Sequence, residues 1–564
     1  MTPPRQTLCA ALALLAACVP GRARWPLYEQ VKAVEAPQAM VVSVSPIATQ
    51  VGLDILRRGG NAVDAAVAIG FALAVVHPAA GNIGGGGFMV MRFADGAVAS
   101  IDYRETAPGR ATRDMYLDSA GNVTEASVTG PLAAGVPGSV AGMAEAHRRY
   151  GRLAWTDVLA PAVGLARAGF TLDGDRAGGI RADAERLARF AASAAQFLPN
   201  GVPPDSGATL VQADLGRTLQ AIADSGPDVF YRGYIARLIV AEMQRGGGII
   251  SREDLAAYTP LWRQPIAFAY RGHTIYSMPP SSSGGTTLAE MLNMLETRAR
   301  LARFGSVEQV HFLAEVMRRA FADRNAYLGD PAFVEMPVAT LISQEYAGRR
   351  AADIAPGGAT PSSDVAPGLG EGTHTTHYSV VDALGNAVSV TTTLNSGFGS
   401  AVTVAGAGFL LNNEMDDFAS APGKPNQYGL IQGDANAIAP GKRMLSAMTP
   451  TIVLDPAGRL FLVVGTPGGP TIITTVAQVI SNVIDQHMSL ADAVAAPRLH
   501  HQHLPDVLRY EGGLDSTTVR RLRAMGYTLR ARDGYSGEVA AIIRGEHGWI
   551  GVADPRTEGL AAGY

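Results

Sequence analysis

The stretch richest in candidate catalytic side chains runs from Thr375 to Gly399 and reads TTHYSVVDALGNAVSVTTTLNSGFG. It gathers hydroxyl and amide groups around one tight turn, after a polar run rich in proline, glycine and serine. A threonine that becomes the first residue of a new chain carries a nucleophilic hydroxyl together with its own base, the free α-amine. Thr375 stands at such a boundary, so the sequence predicts covalent catalysis through its hydroxyl.

Two further residues belong to the same predicted β-hairpin. A three-residue turn at 383–385, with Gly385 in the left-handed region, sets Thr375 opposite Thr393. Strand alternation then places Thr393 and Asn395 on the face of the nucleophile. Threonine is also common in strands because it is β-branched, so composition alone does not separate a catalytic face from an ordinary one.

A glycine-containing turn, Gly465-Thr466-Pro467-Gly468-Gly469-Pro470, lies between a predicted strand and a predicted helix. Proline suits the first position of a helix, and the two preceding glycines can present bare N–H groups at its N-terminus. Such donors can stabilise a developing oxyanion. A plain strand-to-helix turn is the alternative, and a phosphate-binding loop is disfavoured because the Lys-Ser/Thr that should follow is absent.

The elements that must position these residues are helical first and strand-rich later. Apolar periodicity and capping signals predict helices at 46–58, 62–76, 138–150, 215–224, 307–327 and 471–486. Alternation between turn signals predicts strands at 88–93, 98–102, 378–381, 387–394, 451–454 and 460–464. Residues 354–372, rich in glycine and proline, are predicted to form a solvent-exposed linker before Thr375.

Composition limits the function classes. The 564 residues are 47% hydrophobic and 17% charged with a net charge of −4, which supplies a large core and no basic surface for nucleic acid. Only Cys9 and Cys18 are present, so residues after Cys18 contain no thiol for a disulfide, a metal site or catalysis.

The N-terminus has the pattern of an export signal. Arg5 precedes a short apolar run, and we expect residues 1–23 to be a signal peptide. Leu15-Ala16-Ala17-Cys18 is also similar to a bacterial lipobox, in which Cys18 would be lipidated. Both readings predict an exported, periplasmic protein, and the second predicts a membrane anchor.

The run TTHYSVV....GN.VSVTTTLNS.FG resembles the small-subunit signature of the γ-glutamyltranspeptidases, or glutathione hydrolases. The resemblance extends over nearly the whole mature chain, through AGNIGGGGFMV, IDYRETAPGRATRDMY, YSMPPSSSGG, LLNNEMDDF, YGLIQGDANA, GTPGG and DPRTEGLAAGY. It implies an α+β fold, the four-layer αββα sandwich of N-terminal nucleophile hydrolases. It also implies a precursor that cuts itself at His374–Thr375 into a large subunit, 24–374, and a small catalytic subunit, 375–564, which remain together as a heterodimer.

The resemblance further implies a role for each residue at a matching position. Thr375 matches the nucleophile, Thr393 the residue that orients it, and Gly468 and Gly469 the oxyanion hole. The matches for substrate binding are Arg104 and Ser446 for an α-carboxylate, Asn395, Glu414 and Asp417 for an α-ammonium, and Tyr428 for a lid within residues 422–433. The implied substrates are glutathione and other γ-glutamyl amides, with amino-acid or dipeptide acceptors and with no metal or organic cofactor.

One position departs from the family pattern, because Ala447 stands where a second serine is common. A cephalosporin acylase, or another acylase for dicarboxylate side chains, is therefore the main alternative function. A polyglutamate depolymerase and a binding protein that never matures are weaker alternatives. His500, His501 and His503 invite a metal interpretation, but packing and hydrogen bonding are favoured for them, and Asp416-Asp417 lacks matching histidines.

Overall fold

The computed structural model describes residues 25, 27, 29–365, 374–422, 424, 427, 433–532, 534 and 536–564, with His374 described by its backbone alone. The predicted signal peptide with Cys18, residues 366–372 of the predicted linker, and Tyr428 lie outside the described residues. Within them, no helix combines the length and the apolar character needed to cross a bilayer.

The helices and strands are numbered here in chain order. The helices are α1 Pro46–Arg57, α2 Ala62–Val76, α3 Ser139–Tyr150, α4 Trp155–Ala168, α5 Gly174–Ala182, α6 Ala184–Ala188, α7 Ala191–Phe197, α8 Ala213–Ser225, α9 Asp228–Tyr231, α10 Tyr234–Gly246, α11 Arg252–Ala257, α12 Gly284–Glu296, α13 Val307–Tyr327, α14 Val338–Leu341, α15 Gln344–Ala352, α16 Thr471–Ile484, α17 Leu490–Ala495 and α18 Ser516–Ala524. The strands are β1 Ala33–Ala36, β2 Met40–Ser43, β3 Gly86–Arg92, β4 Val98–Asp102, β5 Phe170–Thr171, β6 Thr209–Leu210, β7 Leu261–Arg263, β8 Ile266–Tyr270, β9 His273–Ser277, β10 His374–Val381, β11 Ala387–Asn395, β12 Thr451–Leu454, β13 Leu460–Gly465, β14 Leu499–His500, β15 Leu508–Tyr510, β16 Leu529–Ala531, β17 Ala540–Gly545, β18 Gly548–Ala553 and β19 Leu560–Gly563.

Two seven-stranded antiparallel sheets form the centre of the molecule. The nucleophile sheet, which contains Thr375, has the strand order β19-β2-β10-β11-β3-β4-β7. The facing sheet has the order β1-β18-β17-β13-β12-β9-β8. Strands from distant parts of the sequence alternate in both sheets, so residues on either side of position 375 contribute to each of them.

Three apolar clusters define the layers. Between the sheets, side chains such as Val90 of β3 and Val463 of β13 share one cluster. Behind the nucleophile sheet, its outward residues pack on α1, α2 and α4, as Val390 does in the cluster that contains Phe71. Behind the facing sheet, Val453 shares a cluster with residues of α12, α13 and α16. The predicted αββα sandwich is therefore confirmed.

Helix α2 supports the strand that carries Thr375. Asn61 caps it with a reciprocal capping box to Asp64, and every residue of the helix is buried. Gly70 lets the helix approach β10 closely, because a Cβ there would lie 2.8 Å from the Tyr378 hydroxyl. The backbone near the nucleophile is thus held from behind by a fully buried helix.

All the predicted helices and strands are present, with ends displaced by a few residues. The largest displacement is at β10, which begins at His374 and not at 378. Pairing with β11 explains the earlier start, because it runs along the whole length of β10, whereas pairing with β2 covers only Tyr378–Val381. Helix α16 begins at Thr471, directly after Pro470.

The predicted exposure of residues 354–372 is wrong for part of the segment. Ile354, Ser362 and Val365 are all buried. The Ala359 N–H donates to the Met525 carbonyl at 2.7 Å, and the Thr360 N–H donates to Glu315 at 3.2 Å. Glycine and proline content predicted a solvated segment, whereas partners remote in sequence satisfy its backbone.

Candidate active site

The hairpin places Thr375 and Thr393 directly opposite each other, which confirms the predicted register. The Asp382 N–H donates to the Asn386 carbonyl at 3.0 Å, and Gly385 has a φ of 84°, as the three-residue turn requires. Thr393 is buried, and its Oγ1 accepts the Asn395 N–H at 2.7 Å. The Thr393 hydroxyl accepts this bond through its oxygen, and a hydroxyl group can also donate its hydrogen. Thr375 is the residue directly opposite Thr393 in the ladder.

The ladder becomes irregular at the predicted scissile bond. His374 pairs with Asn395, so the register shifts between His374 and Thr375. Asn395 adopts a left-handed φ of 77°, and its side-chain amide donates to the Asn413 carbonyl at 3.0 Å. The predicted alternation therefore stops at Leu394, and a bulge brings Asn395 beside Thr393. Bulges of this kind redirect side chains next to active sites.

His377, two residues after Thr375, lies between the two sheets. Its ring nitrogens lie 2.9 Å from Thr391 Oγ1 and 3.2 Å from Ser379 Oγ, and burial lowers its pKa to about 3. Gly465 lies against this ring, since a Cβ there would be 2.3 Å from the imidazole Cε1. The turn that follows β13 therefore starts close to the nucleophile strand. Sequence reasoning did not identify His377, and its position two residues after Thr375 is the one signal that could have drawn attention to it.

The turn at Gly468 and Gly469 has the backbone that an oxyanion hole requires. Their φ angles are 131° and 58°, in the region that favours glycine. The Gly468 carbonyl accepts the Thr471 N–H at 3.2 Å, and the Gly469 carbonyl accepts the Ile472 N–H at 3.0 Å. Neither glycine N–H donates to any residue that the structure describes. Both carbonyls thus point into the first turn of α16, while both N–H groups remain available.

A buried ion cluster surrounds Arg104. Its guanidinium lies 2.6 Å from Glu414 and 3.6 Å from Glu105, and it also donates to Asp417. The Arg104 Nε donates to the Met444 carbonyl at 3.3 Å. Arg104 is 1% exposed, so these charges interact away from water. A planar guanidinium of this kind is suited to bind a carboxylate with two hydrogen bonds.

The Arg104 cluster borders the nucleophile hairpin. Gly86 pairs with Thr393 in the ladder, and a Cβ at Gly86 would lie 2.5 Å from Glu105 Oε2. On the other side, Asn395 binds the carbonyl of Asn413, the residue before Glu414. The ion cluster and the Thr375–Thr393 pair are therefore adjacent parts of one site.

The pKa values of the carboxyl groups in this cluster are raised, which disfavours their ionised forms. Burial raises the pKa values of Glu414 and Asp417, while the charge of Arg104 opposes that rise. Burial also raises the pKa of Glu105 to about 8. Because each ionised group here is desolvated, an additional positive charge would stabilise the ionised forms. The arrangement can therefore receive an ammonium group.

Ser446 lies in a polar contact with the 281–283 segment. Its N–H donates to the Ser281 carbonyl at 3.0 Å, and its carbonyl accepts the Ser283 N–H at 2.7 Å. Ser446 Oγ accepts the Met448 N–H at 3.1 Å, and Ala447 is buried beside it. The Met444 carbonyl connects this strand-like segment to Arg104.

Sequence reasoning missed three buried polar groups near this site. Ser281 donates to Asp102 at 3.1 Å, and Arg324 Nε donates to Ser283 Oγ at 2.7 Å. Burial lowers the pKa of Arg324 to about 9. Glu105 is the third. The serine run and the residue next to Arg104 were visible signals, but nothing in the pattern of α13 distinguishes Arg324.

The three histidines of the HHQH run all have hydrogen-bond partners. His500 lies 3.0 Å from Thr474 Oγ1, His501 lies 3.2 Å from Asp506, and His503 lies 2.9 Å from two backbone carbonyls. Within the described residues, no group of His, Cys, Asp and Glu has the arrangement of a metal site.

Comparison with known proteins relates this geometry to a family. The family model described as gamma-glutamyltranspeptidase matches residues 48–564. The chain is 49% identical over 539 residues to a glutathione hydrolase proenzyme of Escherichia coli (strain K12), covering 94% of this chain and 93% of the relative. It is 40% identical over 537 residues to an acylase ACY 1 proenzyme of Pseudomonas sp. (strain SE83), covering 94% of each. The crystal structure of a cephalosporin acylase from Bacillus halodurans superposes with a TM-score of 0.83 at 27% identity, covering 98% of this chain and 99% of that one.

Proposed function

Because the chain belongs to the γ-glutamyltranspeptidase family, we propose that it is a self-processing γ-glutamyltransferase and glutathione hydrolase with Thr375 as nucleophile. One observation carries the proposal: the carboxylate-rich cluster around Arg104 adjoins the Thr375–Thr393 pair through Gly86. A γ-glutamyl group presents an α-carboxylate and an α-ammonium at the end remote from its amide. The cluster offers a guanidinium for the first and carboxylates for the second.

The first reaction is the cleavage of the chain itself. The Thr375 hydroxyl attacks the carbonyl carbon of His374, and the C–N bond breaks in an N→O acyl shift. Water then hydrolyses the resulting ester and releases a chain ending at His374 and a chain beginning at Thr375. Residues 24–374 and 375–564 remain associated because both contribute strands to each large sheet.

The second reaction uses the amine that the first one releases. An α-amine has a pKa of about 7.7, so a large fraction of the Thr375 amine is neutral at pH 7–8 and can accept the hydroxyl proton. Thr375 then attacks the γ-glutamyl amide, and Gly468 and Gly469 donate to the oxyanion of the tetrahedral intermediate. The departing amine takes the proton and leaves a γ-glutamyl ester on Thr375. Water completes hydrolysis, whereas an amino acid or a dipeptide completes transfer.

Substrate orientation follows from charge. Arg104 and Ser446 bind the α-carboxylate, and Asn395, Glu414 and Asp417 bind the α-ammonium. In the structure Arg104 pairs with Glu414 and Asp417, so the substrate exchanges those contacts for its own two charges. We place Tyr428 over the bound glutamyl group as part of a lid within residues 422–433.

The proposal extends to location. Residues 1–23 are an export signal that delivers the enzyme to the periplasm, and Cys18 is a candidate lipid attachment site. Glutathione and other γ-glutamyl amides present in that compartment are then its substrates. Labelling with a radioactive fatty acid, compared between the wild-type chain and Cys18→Ser, separates a lipid anchor from ordinary signal cleavage.

The nucleophile is tested by processing and turnover together. Thr375→Ala removes the hydroxyl, so the chain should remain a single band on denaturing gels and should not hydrolyse a γ-glutamyl anilide. Thr375→Ser keeps a hydroxyl and should retain both activities at a lower rate. A Thr375→Ala chain that still matures would contradict the assignment.

A dicarboxylate acylase is the second candidate, and Ala447 is the residue that favours it. Losing a hydroxyl from the α-carboxylate subsite weakens one contact of an amino-acid substrate, at a cost of about 1.5–3 kcal/mol for a hydrogen bond to a charged group. Glutathione, a γ-glutamyl anilide and a glutaryl-cephalosporin assayed side by side distinguish the two. Turnover of the glutaryl substrate alone would assign the chain to the acylases.

A further inference from the structure

His503, the last residue of the HHQH run, takes part in a set of contacts that holds the segment before Thr375. We call Arg318, His503 and Asp506 together the clamp. Ser362, which it holds, donates its N–H to Asp506 at 2.7 Å and its hydroxyl to the His503 carbonyl at 2.7 Å. Arg318 donates to both Ser362 Oγ and Asp506. Arg318, Ser362 and His503 are 1%, 2% and 4% exposed, so the bonds among these three residues are shielded from water.

The side chain of His503 closes the clamp over the backbone. Its Nε2 lies 2.9 Å from the carbonyls of both Ser362 and Val365, so the ring carries its hydrogen on Nε2 and donates to them. His503 has a left-handed φ of 68°, and its N–H donates to His501 Nδ1 at 3.1 Å. His501 in turn lies 3.2 Å from Asp506. The run therefore acts as one bracket around residues 362–365.

The position of this clamp relative to the proposed cut gives it a role. The chain is held at Val365 by His503 and again at His374 by the β10–β11 ladder, with eight residues, 366–373, between them. We infer that the clamp is a positioning device for self-cleavage, which restrains the chain on the departing side of the His374–Thr375 bond. This inference rests on the proposed cleavage at that bond.

The physical effect is a smaller number of residues between the held positions on either side of the reacting carbonyl. Without the clamp, the last upstream held residue is Thr360, whose N–H donates to Glu315 at 3.2 Å. The number of residues between held positions would then grow from eight (366–373) to 13 (361–373), and the added loop-closure entropy slows the reaction about twofold. Lost orientation of the carbonyl adds to this factor.

The clamp has no described contact with Thr375, Arg104 or the Gly468–Gly469 turn. Its residues bind one another, Ser362, Val365, His501 and Glu315 of α13. It should therefore affect maturation and leave turnover by the matured enzyme unchanged. A residue that merely stabilised the fold would alter both, together with the melting temperature.

The test follows the full-length chain in cell-free synthesis, with a radioactive pulse, a chase and denaturing gels. His503→Ala should slow conversion of the precursor at least twofold, while kcat/KM of the matured fraction for a γ-glutamyl anilide stays within about 1.5-fold of wild type. His503→Gln keeps a donor near both carbonyls and should restore most of the rate. His500→Ala is the matched control, because His500 binds Thr474 and Gln502 and not the clamped segment.

The outcomes separate this inference from the proposed function. A wild-type chain that is never cut would contradict the proposed function itself. A wild-type chain that is cut, with His503→Ala maturing equally fast, would overturn the clamp alone. Equal slowing in His500→Ala, or a parallel loss of turnover and melting temperature in His503→Ala that Gln does not rescue, would also overturn it.

Discussion

Two buried arginines, Arg104 and Arg318, stand in opposite electrostatic settings. Each is 1% exposed and paired with carboxylates. Around Arg104, burial raises the carboxyl pKa values, that of Glu105 to about 8. Around Arg318, the pKa values of Glu315 and Asp506 are lowered, although burial opposes the shift, because arginine charges and hydrogen bonds favour the ionised forms.

The number of donors explains the difference. Glu315 accepts from Arg319 at 2.6 Å and from Tyr527 at 2.9 Å, beside its contact with Arg318. Asp506 has the Arg318 guanidinium, a backbone N–H and His501. Arg104 instead faces three carboxylates. The ion cluster at Arg318 is electrostatically complete, whereas the Arg104 cluster has more carboxyl groups than one guanidinium can pair, and a substrate ammonium would stabilise their ionised forms. The contrast is between carboxyl groups whose charges are matched within the protein and carboxyl groups whose charges are not.

The largest expected effect comes from exchanging each arginine for lysine. Arg104→Lys keeps the charge but loses the planar fork, so kcat/KM for a γ-glutamyl anilide should fall about 100-fold, which corresponds to about 2.7 kcal/mol. Arg318→Lys should slow maturation and change kcat/KM of the matured enzyme less than threefold. Equal losses of turnover in the two matured variants would remove the distinction between the clusters.

The next effect tests the surplus of carboxyl groups around Arg104. Asp417→Asn removes one partner of the α-ammonium, so kcat/KM for γ-glutamyl anilide should fall about tenfold or more, since hydrogen bonds to charged groups contribute about 1.5–3 kcal/mol. Turnover of glutaryl anilide, which has no ammonium, should not fall. Asp416→Asn is the matched control, because Asp416 binds Ser127 at 2.7 Å. An unchanged ratio of the two substrates in Asp417→Asn would contradict the role of this carboxylate.

A smaller effect is expected at Ala447. Ala447→Ser adds a hydroxyl next to Ser446, on the segment whose Met444 carbonyl binds Arg104. KM for the γ-glutamyl anilide should decrease about tenfold, because one hydrogen bond to a charged group is added, at the lower end of about 1.5–3 kcal/mol. Ala447→Val, which adds bulk without a donor, should not lower KM. If both substitutions act alike, residue 447 does not reach the substrate carboxylate.

The smallest effect is a pair of opposite pH slopes in stability. Burial raises the pKa of Asp416 to about 7, above its unfolded value, so its contribution is fully present at low pH and is lost as pH rises from about 4 to 7. The pKa of Asp506 is lowered, so its contribution is present at neutral pH and is lost as pH falls below the ordinary aspartate range.

Urea unfolding across pH 3 to 8 measures both slopes. Relative to wild type, Asp416→Asn should gain stability as pH rises towards 7. Asp506→Asn should lose stability relative to wild type over the same change, by a small amount because the Asp506 side chain is 40% exposed. Slopes of the same sign would show that burial at Asp416 and the donors around Asp506 do not shift the two pKa values in opposite directions.

The sequence was most informative where chemistry is local. The turn at Gly385 set the Thr375–Thr393 register, and capping signals located helix starts such as that of α2 at Ala62. It failed where distant residues meet. Nothing in the glycine- and proline-rich composition of residues 354–365 indicated that Ser362 would be buried against His503. Likewise, the pattern of α13 gave no sign that Arg324 would approach Ser283. Long-range partners decide burial, and a single sequence does not record them.

The most direct test of the account is the chemical state of the small chain during turnover. The matured enzyme is mixed with a γ-glutamyl anilide, quenched in acid within the first turnover, and mapped by peptide mass spectrometry. The account predicts a chain that begins at Thr375 and carries a γ-glutamyl ester on that residue. A different first residue, or a γ-glutamyl group attached elsewhere, would contradict it.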